Sequence, residues 1–93
     1  MELEYDERKA RTNFRKHGIL FEETWPCFFD PNALILEDPD ANDERRWILW
    51  GMDANGRLLA VVHTTRGLRI RIISARKATP GERATYAKRI RHF

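Results

Sequence analysis

This 93-residue sequence predicts an α+β fold built from two N-terminal helices, a four-stranded antiparallel β-sheet and a C-terminal helix. Three observations carry that expectation. The stretch from Arg69 through Arg71 to Arg76 alternates polar and apolar residues with the period of a folded strand. Two turn signals, Asn55-Gly56 and Arg66-Gly67, are so short that the strands they join must run antiparallel. The tetrapeptide Thr79-Pro80-Gly81-Glu82 is a capping box with proline at the first helical position, which opens a helix.

The elements follow in chain order. The first helix runs from Asp6, an N-cap, to His17, and Gly18 suits the left-handed stop. Its inner face holds Ala10, Asn13, Phe14 and His17, and its outer face is basic. A second helix is expected from Phe21 to Phe28 or Phe29, ended by Asp30-Pro31 and kept short, kinked or late-starting by Pro26. Trp25, Phe28 and Phe29 read as core, because a domain this small needs most of its large apolar groups inside. Strands are expected over Ala33–Glu37, Arg45–Met52, Arg57–Thr65 and Leu68–Arg76. The polar run Asp38-Pro39-Asp40-Ala41-Asn42-Asp43 separates the first two. The last helix lines up Tyr86, Ile90 and Phe93 on one face.

The helices are expected together on one sheet face, leaving the other free to bind. Alternation in the fourth strand puts Arg69, Arg71, Ile73 and Ala75 on one side and Leu68, Ile70, Ile72, Ser74 and Arg76 on the other. If the apolar set faces the helices, Arg69 and Arg71 face out. Arg76 then needs a frayed strand end or a bulge to leave the core.

Length implies one domain over residues 1–93 with a small core. The charge is split: residues 57–93 carry ten Lys or Arg against the single acid Glu82, while residues 1–56 carry thirteen acids against seven Lys or Arg. A basic half that also folds points to an anionic partner, and nucleic acid fits best. The lone Cys27 cannot form an internal disulfide, and His17, His63 and His92 lack metal-ligand spacing, so neither a metal nor a cofactor is expected. No apolar run approaches the roughly 20 residues of a membrane span, and the acidic start is unlike a secretory signal. A cytoplasmic location is expected.

Several blocks together carry a family resemblance. They are Tyr5-Asp6-Glu7-Arg8-Lys9 followed by Asn13, Arg15-Lys16-His17-Gly18-Ile19, Phe21-Glu22-Glu23, and Asp30-Pro31. The second half adds His63-Thr64-Thr65-Arg66-Gly67, then Arg71-Ile72-Ile73-Ser74-Ala75-Arg76 with Ala78, Glu82-Arg83 and Tyr86. At this spacing the chain resembles the BrnT toxins of bacterial type II toxin–antitoxin systems over nearly its whole length. Leu20, where the family usually has a small capping residue, and Pro26 depart from the pattern, and both bear on the second helix. The resemblance implies a RelE/ParE-like fold and a ribonuclease that halts translation. It also implies a BrnA-like antitoxin whose ribbon-helix-helix domain represses the shared operon, so that operator DNA is met only through the complex.

The residues are compatible with that chemistry. Metal-free RNA cleavage uses the adjacent 2′-hydroxyl as nucleophile, and the protein must move two protons and stabilise a growing negative charge. Arginine suits the last task, since its guanidinium holds two phosphate oxygens and stays charged. Arg66, Arg71 and Arg76 are the candidates for this clamp, with a solvated, salt-bridged basic face as the alternative, stronger still for Arg69. His63 is the candidate proton carrier, though an inward, hydrogen-bonded histidine fits its strand position equally well. Arg69, Ser74, Lys77, Arg83 and Tyr86 are candidate RNA contacts, Tyr86 also fitting the core and Ser74 orienting Arg76 or a phosphate. Lys9 and His17 belong to the family pattern and complete the site from the first helix, although capping of that helix explains His17 as well. Two rival functions use the same surface: a non-catalytic nucleic-acid-binding module and a ParE-like toxin acting on a protein. Sheet-based RNA binders stack bases on exposed strand aromatics, and the fourth strand has none.

Overall fold

The computed structural model describes residues 1–41 and 44–91. Asn42, Asp43, His92 and Phe93 lie outside the described residues, and with them part of the expected polar turn and the last position of the apolar face of the final helix.

The chain runs β1 (Glu2–Glu4), α1 (Glu7–His17), a 3₁₀ helix (Phe21–Phe29), β2 (Leu34–Glu37), β3 (Trp47–Met52), β4 (Leu58–Arg66), β5 (Arg69–Lys77) and α2 (Pro80–Arg91). The expected α+β class and element order are observed, with one addition. Glu2–Glu4 forms a fifth strand, so the sheet has the order β1-β5-β4-β3-β2 and is mixed, β1 lying parallel to β5. Three residues carry too little pattern to announce a strand; their pairing comes from tertiary contact. Leu3 sits beside Ile70 toward the core, while Glu2 and Glu4 sit beside Arg69 and Arg71, pairing opposite charges across the strands.

Helix α1 starts where expected. The Asp6 carboxylate accepts from the N–H groups of Arg8 and Lys9, and Gly18 closes the helix with φ 69°. The second helix is a 3₁₀ helix, which is the form its shortening takes. Pro26 has no N–H to donate and its ring clashes with an α-helical carbonyl four residues back. Leu20 offers no side-chain cap, so the Glu23 carboxylate accepts from the Leu20 N–H at 2.8 Å and closes the helix start.

Register and strand alternation place Leu49 of β3, Leu59 and Val61 of β4, and Ile70, Ile72 and Ala75 of β5 on one face. There they meet Ile19, Phe21 and Cys27, with Leu3, Tyr5, Ala10, Trp25 and Phe28 around them. The 3₁₀ helix comes so close to β3 that a Cβ on Gly51 would lie 2.6 Å from the Cys27 carbonyl oxygen, which is why the strand carries glycine there. Three inner-face expectations fail. His17 is exposed on α1. Phe29 is 62% exposed, resting edge-on against Trp25, and Phe14 is 47% exposed. Helix α2 also leaves the expected helical layer. Its Tyr86 and the preceding Ala78 pack on Leu58 and Met52, which alternate to the opposite face from Leu59 and Gly51.

Candidate nucleic-acid interface

The site is built around an irregularity in β5. Val62 pairs with Ser74, but His63 pairs with Ile72, so Ile73 is an extra residue without a partner in β4. The bulge reverses the alternation of the strand. Ala75 joins Ile70 and Ile72 in the core with no exposure, and Arg76 moves to the outer face. Strict two-residue parity gave the opposite assignment for both; of the two escapes expected for Arg76, the strand takes the bulge.

Asn13 fastens α1 to this place. Its side-chain N–H₂ donates to the Ala75 carbonyl at 2.8 Å and to the Ile19 carbonyl at 3.1 Å, and its Oδ1 accepts from the Ala75 N–H at 3.0 Å. One amide thus pairs with the free edge of β5 just beyond the end of β1. Between α1 and the bulge lies a cleft of about 270 Å³, into which Arg8, Lys9, Lys16 and His17 project from the helix and Ile73 and Ser74 from the strand. Among the described residues, none of these four basic groups has an ion-pair partner. The basic side of the cleft therefore faces solvent with its charge unbalanced.

The arginines of the second half are engaged differently. Arg69 lies 3.4 Å from Glu2 and 3.7 Å from Glu4, Arg71 is 3.8 Å from Glu4, and Arg66 is 3.8 Å from Glu44. Arg76 donates twice to Glu82, at 2.7 and 3.1 Å, and once to the Lys77 carbonyl. The hydrogen bonds from Arg76, against the penalty of burial, hold the Glu82 carboxyl below its ordinary range. Arg66, Arg71 and Arg76 do not converge. At about 3.3 Å per residue, Arg71 and Arg76 stand about 15 Å apart along β5, and Arg66 lies across the hairpin turn at the other end. This spacing sets the three arginines apart along the sheet instead of gathering them at one point. Arg71 does not line the cleft, though its charge is near enough to join the Lys9 and Arg8 N–H groups in holding the Asp6 carboxyl, at the start of α1, below its ordinary range.

Two further candidates are corrected. His63 is 4% exposed, stacked edge-on under Phe28 at 5.0 Å, with Nδ1 near the Val61 carbonyl; it shares the helix-facing side with Ile72 and points away from Arg71. Burial drives its pKa down, which favours the neutral ring. Tyr86 is 5% exposed and donates its hydroxyl to Asp30 at 2.5 Å, so it offers no face for a base; burial and that bond push it up to about 12. Lys77 and Arg83 are exposed near the α2 start, away from the cleft. The structure thus brings together Lys9, His17 and Ser74 and adds Arg8 and Lys16. The signal for Lys16 was the helical stripe 9-12-13-16-17, which groups it with Lys9, Asn13 and His17; Arg8 lies outside that stripe and had no such signal.

Chemically, the cleft offers three cationic groups for a phosphate, the hydroxyls of Thr12 and Ser74, and the exposed imidazole of His17. Cys27 is no nucleophile: burial, then Asp53 and Asp30, push its thiol up to about 12. Among the described residues no three His, Cys, Asp or Glu side chains are grouped to hold a metal ion. No helix is long and apolar enough to cross a membrane among the described residues.

Comparison with known proteins fits this geometry. Residues 5–82 match the family described as "Ribonuclease toxin, BrnT, of type II toxin-antitoxin system". Among solved structures, the chain is similar to the Brucella abortus ribonuclease toxin BrnT, with a TM-score of 0.69 and 29% identity, over 85% of this chain and 97% of that one. No curated protein gives a significant match.

Proposed function

The chain belongs to the family of BrnT ribonuclease toxins of type II toxin–antitoxin systems, and from that premise we propose that it cleaves RNA in the cleft between α1 and the β5 bulge, without a metal ion. Residues 1–93 act as one toxin domain in the cytoplasm, where the loss of messenger RNA stops translation. The observation that carries the reading is the set of unpaired cations on α1 facing the bulge. Arg8, Lys9 and Lys16 hold the scissile phosphate and its neighbour, neutralising the charge that grows on the phosphorane. His17 takes the proton of the 2′-hydroxyl as that oxygen attacks phosphorus and returns it to the 5′-oxygen as the P–O5′ bond breaks, leaving a 2′,3′-cyclic phosphate, while Ser74 orients a phosphate oxygen. Arg71 contributes from outside the cleft. Its pairing with Glu4 at 3.8 Å is long and partly solvated, so an incoming phosphate displaces the carboxylate at small cost.

The partner of a type II toxin is a protein antitoxin. A BrnA-like protein with a ribbon-helix-helix domain fits the family, and through it the toxin reaches operator DNA.

The test is cleavage of a single-stranded RNA by purified protein in excess chelator. Wild-type protein is expected to cut and leave a 2′,3′-cyclic phosphate; His17→Ala should lower kcat about 100-fold or more with the circular dichroism spectrum unchanged. Lys16→Ala should lower kcat as well as raise KM, because its charge meets the phosphorane, whereas Arg71→Ala should act mainly on KM. Cleavage that appears only with added divalent ions, or full activity in His17→Ala, rules the reading out.

A further inference from the structure

Helix α1 has a second recess on its other flank. Ala10, Phe14, Leu20 and Phe21 form an apolar trough of about 350 Å³ where α1 meets the start of the 3₁₀ helix. Phe14 and Leu20 are 47% and 44% exposed, and both line it. Glu7, Arg11 and Arg15 flank it from α1 and Glu22 from the 3₁₀ helix, Glu22 being tied back by the Tyr5 hydroxyl. We propose that this trough receives an acidic, amphipathic segment of the antitoxin, which anchors two apolar side chains beside Phe14 and Leu20 and continues over α1 to cover the cleft.

The inference rests on the reading of the cleft given above. The volume lies within the range of about 300–1,000 Å³ typical of specific binding recesses, and its walls are aromatic and aliphatic, which suits peptide side chains. Charge selects among the occupants. Helix α1 carries five Lys or Arg against Glu7 alone, and among the described residues none of the five has an ion-pair partner, so a second copy of this chain would oppose like charges. RNA would set phosphates against Glu7 and Glu22 and leave the apolar floor uncovered. An amphipathic acidic segment divides its side chains as the trough requires: its carboxylates meet Arg11 and Arg15, while its apolar residues cover Phe14 and Leu20 and exclude water there. Helix α1 is about 10 Å across, which three or four extended residues span, so further acids on the same segment reach Lys9 and Lys16.

The experiment uses the toxin and the antitoxin encoded with it, measuring affinity by calorimetry and inhibition by RNA cleavage. The double variant Phe14→Gln, Leu20→Ser is expected to weaken antitoxin binding about 30-fold or more while the free toxin cleaves RNA at the wild-type rate. Arg15→Glu, a substitution at an exposed flanking position that spares the apolar contacts, should also weaken binding, and neutralising the antitoxin's acidic residues should then cost less affinity than it does with wild-type toxin. Undiminished affinity in both variants overturns the proposal, as does loss of RNA cleavage in the free Phe14→Gln, Leu20→Ser toxin, which would assign the trough to RNA. A concentration-dependent toxin dimer abolished by the same substitutions would assign it to a second copy and overturn it too. If His17→Ala cleaves normally, the cleft reading fails on its own, and the calorimetric result for the trough still stands.

Discussion

Asn13 holds α1 to β5 with three hydrogen bonds at a position only 5% exposed, and two of them occupy the N–H and C=O of one residue, Ala75. Asn13→Ala would leave those two groups and the Ile19 carbonyl without partners. At about 1–3 kcal/mol for each buried unsatisfied group, partly relieved by entering water, the expected loss is about 3 kcal/mol, read from the urea midpoint. A loss under about 1 kcal/mol would mean the amide is not the fastening. Asn13→Asp should also destabilise, because a carboxylate cannot donate to either carbonyl. The sequence showed Asn13 as a polar residue on an otherwise apolar stripe, and there legibility ended. Its partner lies 62 positions away and is backbone, which has no side-chain signature. His17 was visible as a family residue with a helix-capping alternative, whereas His63 drew attention because a strand histidine near arginines resembles a proton carrier. Only the register settles that it faces Phe28.

At the scale of elements, local pattern found each helix and four of the five strands, because turn chemistry and capping boxes act within a few residues. What it missed depends on pairing. Strand β1 exists because β5 offers an edge with Arg69 and Arg71 on it, and the bulge at Ile73 exists because Ala75 and Arg76 must each reach the face that suits them. Helix α2 is held mainly at its start. Thr79 and Glu82 cap it reciprocally, Arg76 clasps Glu82, and one turn later the Tyr86 hydroxyl reaches Asp30, whose carboxylate also accepts from the Met52 N–H. The family match ends at residue 82, just inside this helix. Tyr86→Phe should lower stability by about 1 kcal/mol and speed amide exchange in α2 more than in the sheet. Equal acceleration across β3, β4 and β5 would show that α2 and the sheet open as one unit.

For the whole molecule, charge ties the two halves of the chain together. The basic second half is met by acids of the first through Arg57 with Glu23 and Asp53, Arg66 with Glu44, and Arg69 and Arg71 with Glu2 and Glu4. Among the described residues, cations without an ion-pair partner remain at Lys77, Arg83, Lys88 and Arg89 of the basic half, and five more stand together on α1, inside the acid-rich half, which overall composition concealed. Stability should fall with acid in two stages. Burial pushes His63 below the ordinary imidazole value of about 6.5, so its contribution is full above that pH and is lost as pH falls toward its folded value. Partial burial of Asp30 and burial of Asp53 oppose their charge, yet hydrogen bonds, from Tyr86 and Met52 to Asp30 and from Arg57 to Asp53, hold both below the carboxylate range. With Glu82, they stabilise above a pH of about 4 and cease to do so as pH falls through their lowered values. Urea titrations across pH should show both stages, and His63→Gln should remove the upper one; a persistent slope between pH 7 and 5 in that variant would assign it elsewhere. Helix α1, finally, divides its positions by period: 7, 10, 11, 14 and 15 line the trough, while 8, 9, 12, 13, 16 and 17 line the cleft. Two sets that do not overlap can diverge separately. Toxins of this kind sharing one cell could thus drift apart in which inhibitor they accept, each insulated from the other's immunity protein, without altering the groups that cut.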